Sequence, residues 1–438
     1  MEIKNFIIKN SFFTFLTKII SAFFGFFTSI LLARTLGPIG KGEYTLIILL
    51  PCLLIVMFDF GVSTANVYLS SKKKYPFIDL ISNSIIIGFS VSVVLIFITL
   101  ISLSFLQTLF FKNISLSLLR IVCFIIPFLL INNYFIGLLV GSLKINLVNI
   151  INLFQSLLLF ILLFIILVFL KGNTAVAVLV WVFVQFISFV VIFYNCVKNI
   201  TEKLKIRLNM MAFKDTISFG LKGYIANVSS FLNYRLDMFF ISLFLNAVSV
   251  GYYAVAVNVA EILWYIPNSL SFVFYPIASS RNEEEINRIT PIISRQVSFL
   301  TFMLSLIICL FSKFIITFLF GDSFLPSIFP LVILLPGIVS LSMAKILSGY
   351  FCGIGRPGIP MMASIIGLLF NIILNIIFIP KWGIAGASFA SSISYTVDTL
   401  ILLLFYQKIS HNSFLSAVIV RLSDFSYYKS LTFHNINK

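Results

Sequence analysis

The sequence predicts an all-α polytopic membrane protein, with about 12 transmembrane helices in two six-helix bundles around a central cavity. Three observations lead to this prediction: long apolar stretches, an uneven distribution of Lys and Arg between the segments that join them, and an internal repeat. The composition agrees, because 60% of the 438 residues are hydrophobic and only 10% are charged. Soluble domains contain roughly 25% charged residues.

The apolar stretches have the length that a membrane helix requires. About 20 residues at 1.5 Å per residue cover a hydrocarbon core of about 30 Å. The predicted spans are residues 11–33, 44–68, 80–106, 116–140, 147–170, 175–197, 217–244, 251–276, 291–311, 326–351, 359–379 and 384–405.

The 30 Lys and Arg residues divide unevenly when these spans are numbered in order. Nineteen lie on one side, six lie on the other side, and five lie within spans. Because cationic loops remain in the cytoplasm, we expect both termini to be cytoplasmic. The net charge of +16 is then mostly this bias beside an anionic leaflet, so nucleic-acid binding is not expected.

An internal repeat divides the chain into halves. Gly42 recurs as Gly251 and Pro127 as Pro336, both 209 residues later, in similar apolar contexts. Because this offset contains six spans, both copies have the same orientation, and an axis along the membrane normal relates them. The predicted domains are an N-terminal six-helix lobe (1–200), a cytoplasmic linker (201–216), a C-terminal six-helix lobe (217–405) and a cytoplasmic tail (406–438).

Catalytic and metal-binding side chains are scarce in this sequence. The two histidines, His411 and His434, lie in the polar tail, and the five cysteines show no paired spacing. We therefore expect no metal site, no cofactor, no disulfide framework and no enzymatic activity.

Polar and charged residues inside the spans are the best guide to a cavity, because each costs several kcal/mol when it faces lipid. On the first span, Thr14, Lys18, Ser21, Gly25 and Thr28 recur at helical spacing and form one polar stripe. The deep charged residues of other spans are Asp59, Lys222, Arg235, Asp237, Glu261 and Asp398, and their polar neighbours include Tyr224, Asn227, Asn233, Asn258 and Tyr265.

Each of these features has a structural alternative. Small-residue stripes also mark tight helix packing, and buried charges also form internal salt bridges. Arg120 and Lys345 lie near span ends, so their ammonium or guanidinium groups can extend to the interface. Arg235 and Asp237 are two residues apart and point in different directions, so we expect each to pair with another helix.

Four runs resemble bacterial polysaccharide biosynthesis flippases of the multidrug/oligosaccharidyl-lipid/polysaccharide exporter superfamily. The first, Leu31 to Gly42 (LLARTLGPIGKG), is similar to the first extracytoplasmic turn of that family. The others are Gly251 to Pro276, Leu335 to Pro357 and Asn371 to Tyr395. The resemblance implies the exporter-superfamily fold and a multi-pass protein of the bacterial cytoplasmic (inner) membrane. It also implies alternating access that moves an undecaprenyl-pyrophosphate-linked oligosaccharide repeat unit, such as an O-antigen unit, from the inner to the outer leaflet.

This implied substrate suggests roles for the polar residues, since a sealed cavity must replace the water around an anionic headgroup. Lys18, Lys222 and Arg235 are candidate headgroup contacts, and Asn227, Asn233, Asn258, Tyr224 and Tyr265 are candidate sugar contacts. Asp59, Asp237, Glu261 and Asp398 either pair with the cations of an empty cavity or carry a coupling proton or sodium ion.

Two other functions remain open at this point. An ion-coupled drug exporter of the same superfamily is expected to present an acidic or apolar cavity to cationic substrates, which fits the cation-containing spans less well. A membrane polysaccharide polymerase or ligase needs several convergent reactive groups outside the membrane. The longest predicted outer connection, residues 312–325, carries only Lys313 and Asp322 as charges.

Overall fold

The computed structural model describes residues 2–112, 114–198 and 207–418. Every regular element among these residues is helical. Residues 199–206, which include the first six residues of the predicted linker, lie outside the described residues, as does the last part of the predicted tail, 419–438.

The helices occupy nearly the whole described chain. They are α1 Glu2–Phe58, α2 Val62–Ser71, α3 Phe77–Phe110, α4 Leu116–Cys123, α5 Ile126–Gly141, α6 Ile145–Phe164, α7 Thr174–Val197, α8 Met210–Phe244, α9 Ala247–Ala260, α10 Tyr265–Ser280, α11 Glu283–Leu310, α12 Ser312–Phe320, α13 Ile328–Gly353, α14 Gly358–Ser410 and α15 Phe414–Val418. A π-helical turn, Ile165–Phe169, extends α6, and 3₁₀ turns occupy Glu261–Trp264 and Asp322–Ser327.

Nine stretches of the described residues are long and apolar enough to cross a membrane. Two of them, with 46 and 53 residues, are about 70 and 80 Å long at 1.5 Å per residue, and a single crossing needs only about 30 Å. Each is broken by a glycine with positive φ, at Gly37 (66°) and at Gly383 (59°). The 35-residue α8 is also longer than one crossing requires. The protein is therefore a multi-pass membrane protein with the predicted all-α fold.

Contacts within the chain divide it into two compact units. The first unit comprises residues 1–231 with 241–254, and the second comprises 232–240 with 255–438. Helix α8 thus contributes to both units. The lobe boundaries taken from the sequence stay a prediction.

Helix breaks recur at the offset of the internal repeat. The break at Gly37 in α1 and the gap between α8 and α9, at Asn246, are 209 residues apart. The start of α7, at Thr174, and the break at Gly383 in α14 are also 209 residues apart in the sequence. The repeat is therefore visible in the backbone as well as in the sequence.

Several predicted spans differ in detail from the observed helices. The second span is interrupted at Asp59–Gly61, where Gly61 has φ 70° and lies so close to α8 that a Cβ there would be 2.1 Å from the Gly220 carbonyl oxygen. The fourth span is divided into α4 and α5 just before Pro127, which has no N–H to donate to the preceding turn.

The linker and the outer connection also contain unexpected helix. α8 begins inside the predicted linker, because the Asn209 side chain accepts hydrogen bonds from the N–H groups of Met211 and Ala212 and caps the helix. The connection at 312–325 is helical too, with α12 followed by a 3₁₀ turn.

The described end of the linker is tied to the start of α3. Arg207 Nε donates to Asp79 Oδ1 at 2.8 Å, and Asn209 Nδ2 donates to Asp79 Oδ2 at 2.8 Å. Asp79 is only 3% exposed, and these charge-assisted bonds offset the cost of burying its carboxylate.

A very close backbone approach in the first unit involves both copies of the repeated glycine. A Cβ on Gly42 would lie 1.7 Å from the Ala247 carbonyl oxygen, and a Cβ on Gly251 would lie 2.1 Å from the Pro38 carbonyl oxygen. Pro38 and Ala247 are also 209 residues apart. Exchanging the two repeats therefore maps this contact onto itself, as in an isologous interface. Small residues permit such close helix packing.

We expect Gly42→Ala and Gly251→Ala each to destabilise the protein by about 1–3 kcal/mol, because the added methyl group must displace backbone atoms. Thermal unfolding of the detergent-solubilised protein measures this effect.

Gly223→Ala in α8 is the matched control, since no atom lies within 4 Å of the position of its Cβ. Replacing an unconstrained helical glycine with alanine should be neutral or stabilising by up to about 1 kcal/mol. Equal unfolding temperatures for Gly42→Ala and Gly223→Ala would show that the close contact is not maintained in the membrane protein.

Candidate functional site

A bidentate ion pair lies within the membrane helices of the second unit. Arg235 of α8 donates to Glu261 through Nη1–Oε1 at 2.7 Å and Nη2–Oε2 at 3.0 Å. The side chains are 29% and 18% exposed, respectively. Glu261 begins the 3₁₀ turn between α9 and α10. Pro267, in the first turn of α10, has no N–H group to donate to the carbonyl of residue 263, so a regular α-helix is interrupted here. The prediction that Arg235 pairs with another helix is confirmed.

A second cation, Lys345 of α13, lies beside this ion pair. Its Nζ is 4.9 Å from the ring centroid of Trp264 and 5.7 Å from that of Tyr234, so it makes cation–π contacts. Its charge also interacts with the carboxylates of Glu261 and Asp398. Lys345 was not predicted to belong to the site, because a lysine near a span end can extend its ammonium group to the interface.

Aromatic rings and one further carboxylate complete this arrangement. The ring centroids of Tyr234 and Trp264 are 4.8 Å apart, and that of Tyr395 is 5.8 Å from Tyr234 and 6.2 Å from Trp264.

Asp398 of α14 is 8% exposed. We call Arg235, Glu261, Lys345 and Asp398 the four-charge cluster. It is neutral when all four groups are ionised.

Asp237 takes part in a separate arrangement on another face of α8. It is 1% exposed, and Oδ1 accepts a hydrogen bond from the Met238 N–H at 2.8 Å. Oδ2 accepts from Ser391 Oγ at 3.1 Å. Asn371 Nδ2 donates to Ser391 Oγ at 3.4 Å, and Asn375 Nδ2 donates to Asn371 Oδ1 at 2.8 Å.

This group, which we call the oxygen cluster (Asp237, Asn371, Asn375 and Ser391), has an unsatisfied acceptor. Asn375 Oδ1 is buried and has no hydrogen-bond partner among the described residues. A buried carbonyl oxygen without a partner costs about 1–3 kcal/mol. Carboxylate, amide and hydroxyl oxygens are the ligands that hard cations prefer. The cluster is therefore suited to hold a small cation or a proton.

In the first unit, two candidate residues lie near the break between α1 and α2. Asp59 Oδ1 accepts from Asn133 Nδ2 at 3.1 Å, and Tyr134 Oη donates to the Asp59 carbonyl at 3.3 Å. Tyr224 of α8 donates to the Met57 carbonyl, and its ring centroid is 5.9 Å from that of Phe60. Asp59 is thus held by polar groups at a helix break, and one of them, Asn133, was not among the predicted site residues.

The polar stripe of α1 is buried at its two ends, Thr14 and Thr28, and is more exposed between them. Thr14 accepts a hydrogen bond from Asn149 Nδ2 at 2.8 Å, and Thr28 is buried. Lys18 is exposed, and Gly25 has no atom within 4 Å of the position of its Cβ. Space is therefore open beside the middle of the stripe.

The remaining candidates differ in their accessibility. Asn227 and Tyr265 are exposed, and Asn258 is half-buried. Asn233 is 1% exposed, and its Oδ1 accepts from Ser394 Oγ of α14 at 2.7 Å, so this candidate sugar contact is buried in the structure. The side chain of Lys222 lies outside the part of the chain that the structure describes.

Comparison with known proteins gives the family and the fold. Residues 7–282 match the family described as "Polysaccharide biosynthesis protein". The probable low-salt glycan biosynthesis flippase Agl15 of Haloferax volcanii is 28% identical over 211 residues, which are 46% of this chain and 44% of that protein. The chain thus matches less than half the length of this curated relative.

Two solved structures are similar over nearly the whole chain. The lipid II flippase MurJ, in an inward closed conformation, has a TM-score of 0.74 at 20% identity, covering 97% of this chain and 99% of that one. An inward-facing MATE family multidrug resistance transporter of the MOP superfamily has a TM-score of 0.71 at 14% identity, covering 89% and 94%. At these identities the likeness establishes the fold, and the fold alone does not separate a flippase from a drug exporter.

Proposed function

Because the chain belongs to the polysaccharide biosynthesis protein family, we propose that it is a flippase for an undecaprenyl-pyrophosphate-linked oligosaccharide repeat unit, such as an O-antigen unit. It moves this lipid from the inner to the outer leaflet of the cytoplasmic membrane by alternating access, with both of its termini in the cytoplasm. Flipping makes and breaks no covalent bond, so no residue is assigned a catalytic role.

The four-charge cluster is the observation that carries this proposal. A pyrophosphate headgroup is anionic and strongly hydrated, so its passage through the membrane requires cations that replace its water. Arg235 and Lys345 supply two positive charges within apolar helices, where an unpartnered cation is costly. Glu261 and Asp398 compensate these charges when substrate is absent.

Substrate binding at this cluster is an exchange of anions. Arginine binds phosphate and carboxylate with the same planar pair of N–H groups, so a pyrophosphate competes directly with Glu261 for Arg235. Lys345 remains next to Trp264 and adds charge without needing to leave its aromatic contacts. The cluster thus holds the headgroup reversibly, which a transporter needs.

The other candidate residues keep the roles that the sequence suggested for them. Lys18 and Lys222 are further headgroup contacts. The sugar hydroxyl groups contact a set of amide and phenol side chains, namely Asn227, Asn233, Asn258, Tyr224 and Tyr265. Of this set, Asn227 and Tyr265 are already exposed.

We further propose that the oxygen cluster holds the coupling ion. Its oxygen atoms are suitable ligands for a sodium ion, and its single carboxylate, Asp237, could instead accept a proton. The unsatisfied Asn375 Oδ1 gives such an ion an additional ligand. Asp59, held at the break between α1 and α2, is a second candidate carrier in the first unit, and Glu261 and Asp398 remain further candidates because they share the four-charge cluster.

The first test compares single and double neutral variants of the ion pair. We expect Arg235→Gln to reduce the flipping rate at least about tenfold, because it removes a charge-assisted contact to the headgroup worth about 1.5–3 kcal/mol. The measurement is leaflet exchange of a fluorescent lipid-linked oligosaccharide in vesicles that contain the purified protein.

The double variant Arg235→Gln/Glu261→Gln separates binding from folding. Neutralising both partners removes the uncompensated buried charge, so the double variant should unfold near the wild-type temperature while still failing to flip the lipid. Restored flipping in the double variant would show that the pair is purely structural. Exchange of lipid-free cationic dyes by the wild-type protein would instead identify a drug exporter.

The second test concerns ion coupling. We expect Asp237→Asn to abolish the response of flipping to an imposed ion gradient, because it removes the carboxylate of the oxygen cluster. Sodium and pH gradients, applied separately to the same vesicles, identify which ion is coupled.

Asp322→Asn is the matched control, since Asp322 is an exposed acid in the 3₁₀ turn that follows α12. Asn375→Leu provides an independent readout. If sodium binds the cluster, it should raise the unfolding temperature of the wild-type protein and have a smaller effect on this variant. An undiminished gradient response in Asp237→Asn would rule out the cluster as the coupling site.

A further inference from the structure

A pocket of about 520 Å³ lies in the first unit, where α2 ends, α3 begins and α5 turns into α6. Its polar lining includes Ser71, Lys73 and Ser142, and its apolar lining includes Phe77 and Leu143. This volume is within the range of roughly 300–1,000 Å³ that is typical of small-molecule sites. None of the residues assigned to transport lines it.

The surroundings of the pocket are positively charged. Lys73 is the middle residue of three consecutive lysines, and Lys144 directly follows Leu143. No lining residue in the described part of the chain is acidic. The nearby carboxylates already have partners. Asp215 accepts hydrogen bonds from Lys74 and from Tyr75, which also lines the pocket, and Asp79 binds Arg207.

The three lysines are not equivalent. Lys74 already forms an ion pair with Asp215, and the hydrogen bond between them raises the pKa of the Lys74 ammonium group. Lys73 is exposed, lines the pocket and forms no ion pair among the described residues. Lys72 is also exposed, but it does not line the pocket.

We propose that this pocket binds the phosphate headgroup of an anionic glycerophospholipid from the cytoplasmic leaflet, with Lys73 as the cationic contact. The site is distinct from the transport site and does not depend on the substrate assigned above.

The position of the pocket favours a membrane lipid over a soluble phosphate. The charge distribution assigns residues 72–74 and 144 to the cytoplasmic ends of their helices, next to an anionic leaflet. Leu143 is 75% exposed and lies at the rim of the pocket. An exposed leucine beside a lysine and serine hydroxyl groups matches a ligand whose polar head continues into apolar chains.

The competing explanation is that Lys73 only compensates the carbonyl groups at the end of α2. Cations near helix C-termini are commonly stabilising for this reason. That role predicts a loss of stability in a Lys73 variant and no selectivity for lipids. The headgroup role predicts a selective loss of lipid binding.

Native mass spectrometry of the full-length protein, equilibrated with equal amounts of phosphatidylglycerol and phosphatidylcholine, tests the proposal. The wild-type protein should retain phosphatidylglycerol preferentially. Lys73→Gln should reduce this preference about fivefold, as expected for one lysine at an anionic surface. Lys72→Gln, which removes the same charge one residue away, should change it much less.

A second variant retains Lys73 and fills the pocket with a larger side chain. Ser71 is exposed, and its hydroxyl group donates to the Tyr68 carbonyl of its own helix, so Ser71→Trp should be tolerated and should exclude the headgroup. Equal losses in Lys72→Gln and Lys73→Gln, or wild-type binding by Ser71→Trp, would overturn the proposal. Displacement of phosphatidylglycerol by soluble glycerol phosphate would also overturn it, as would displacement by undecaprenyl pyrophosphate, which would assign the pocket to the transported lipid.

Discussion

The cost of placing an ionised group in the membrane is the constraint on which the candidate site depends. A charged side chain at the centre of a bilayer is unfavourable by several kcal/mol unless it meets a partner of opposite charge or water. The bidentate bond between Arg235 and Glu261 satisfies this requirement for two residues at once. Lys345 satisfies it with aromatic rings and nearby carboxylates. The proposed headgroup site rests on this constraint, because an anionic group could replace Glu261 as the partner of Arg235.

Backbone geometry complements this electrostatic requirement. The contact of Gly42 and Gly251 with the carbonyl groups of Ala247 and Pro38 brings two helices together without intervening side chains. Such contacts leave the polar side chains of neighbouring turns free for other roles. The break at Asp59–Gly61 has a similar origin, since Gly61 and Gly220 approach each other through their backbones. A polar carboxylate is thereby placed at a helix interruption and held by Asn133.

The sequence predicted many of the residues of the candidate site, but not their arrangement. Arg235, Glu261, Asp237 and Asp398 stood out because ionisable residues are rare in apolar spans. Lys345 was set aside because a lysine near a span end has an interfacial explanation. Asn371 and Asn375 were missed altogether, since neutral amides in apolar helices carry no distinctive signal. The helix breaks at Asp59 and before Pro127 were also missed, because hydropathy does not register a local change in φ.

Hydropathy, charge asymmetry and the internal repeat by themselves determined that this protein is helical, crosses the membrane many times and contains two related halves. These properties follow from local composition and period, which a single chain displays directly. The tertiary structure alone decided which charges are partners. Arg235 and Glu261 are 26 residues apart, and Asp237 and Ser391 are 154 residues apart. Such pairings depend on the rotation and packing of whole helices, and the spacing of residues within one helix does not encode them.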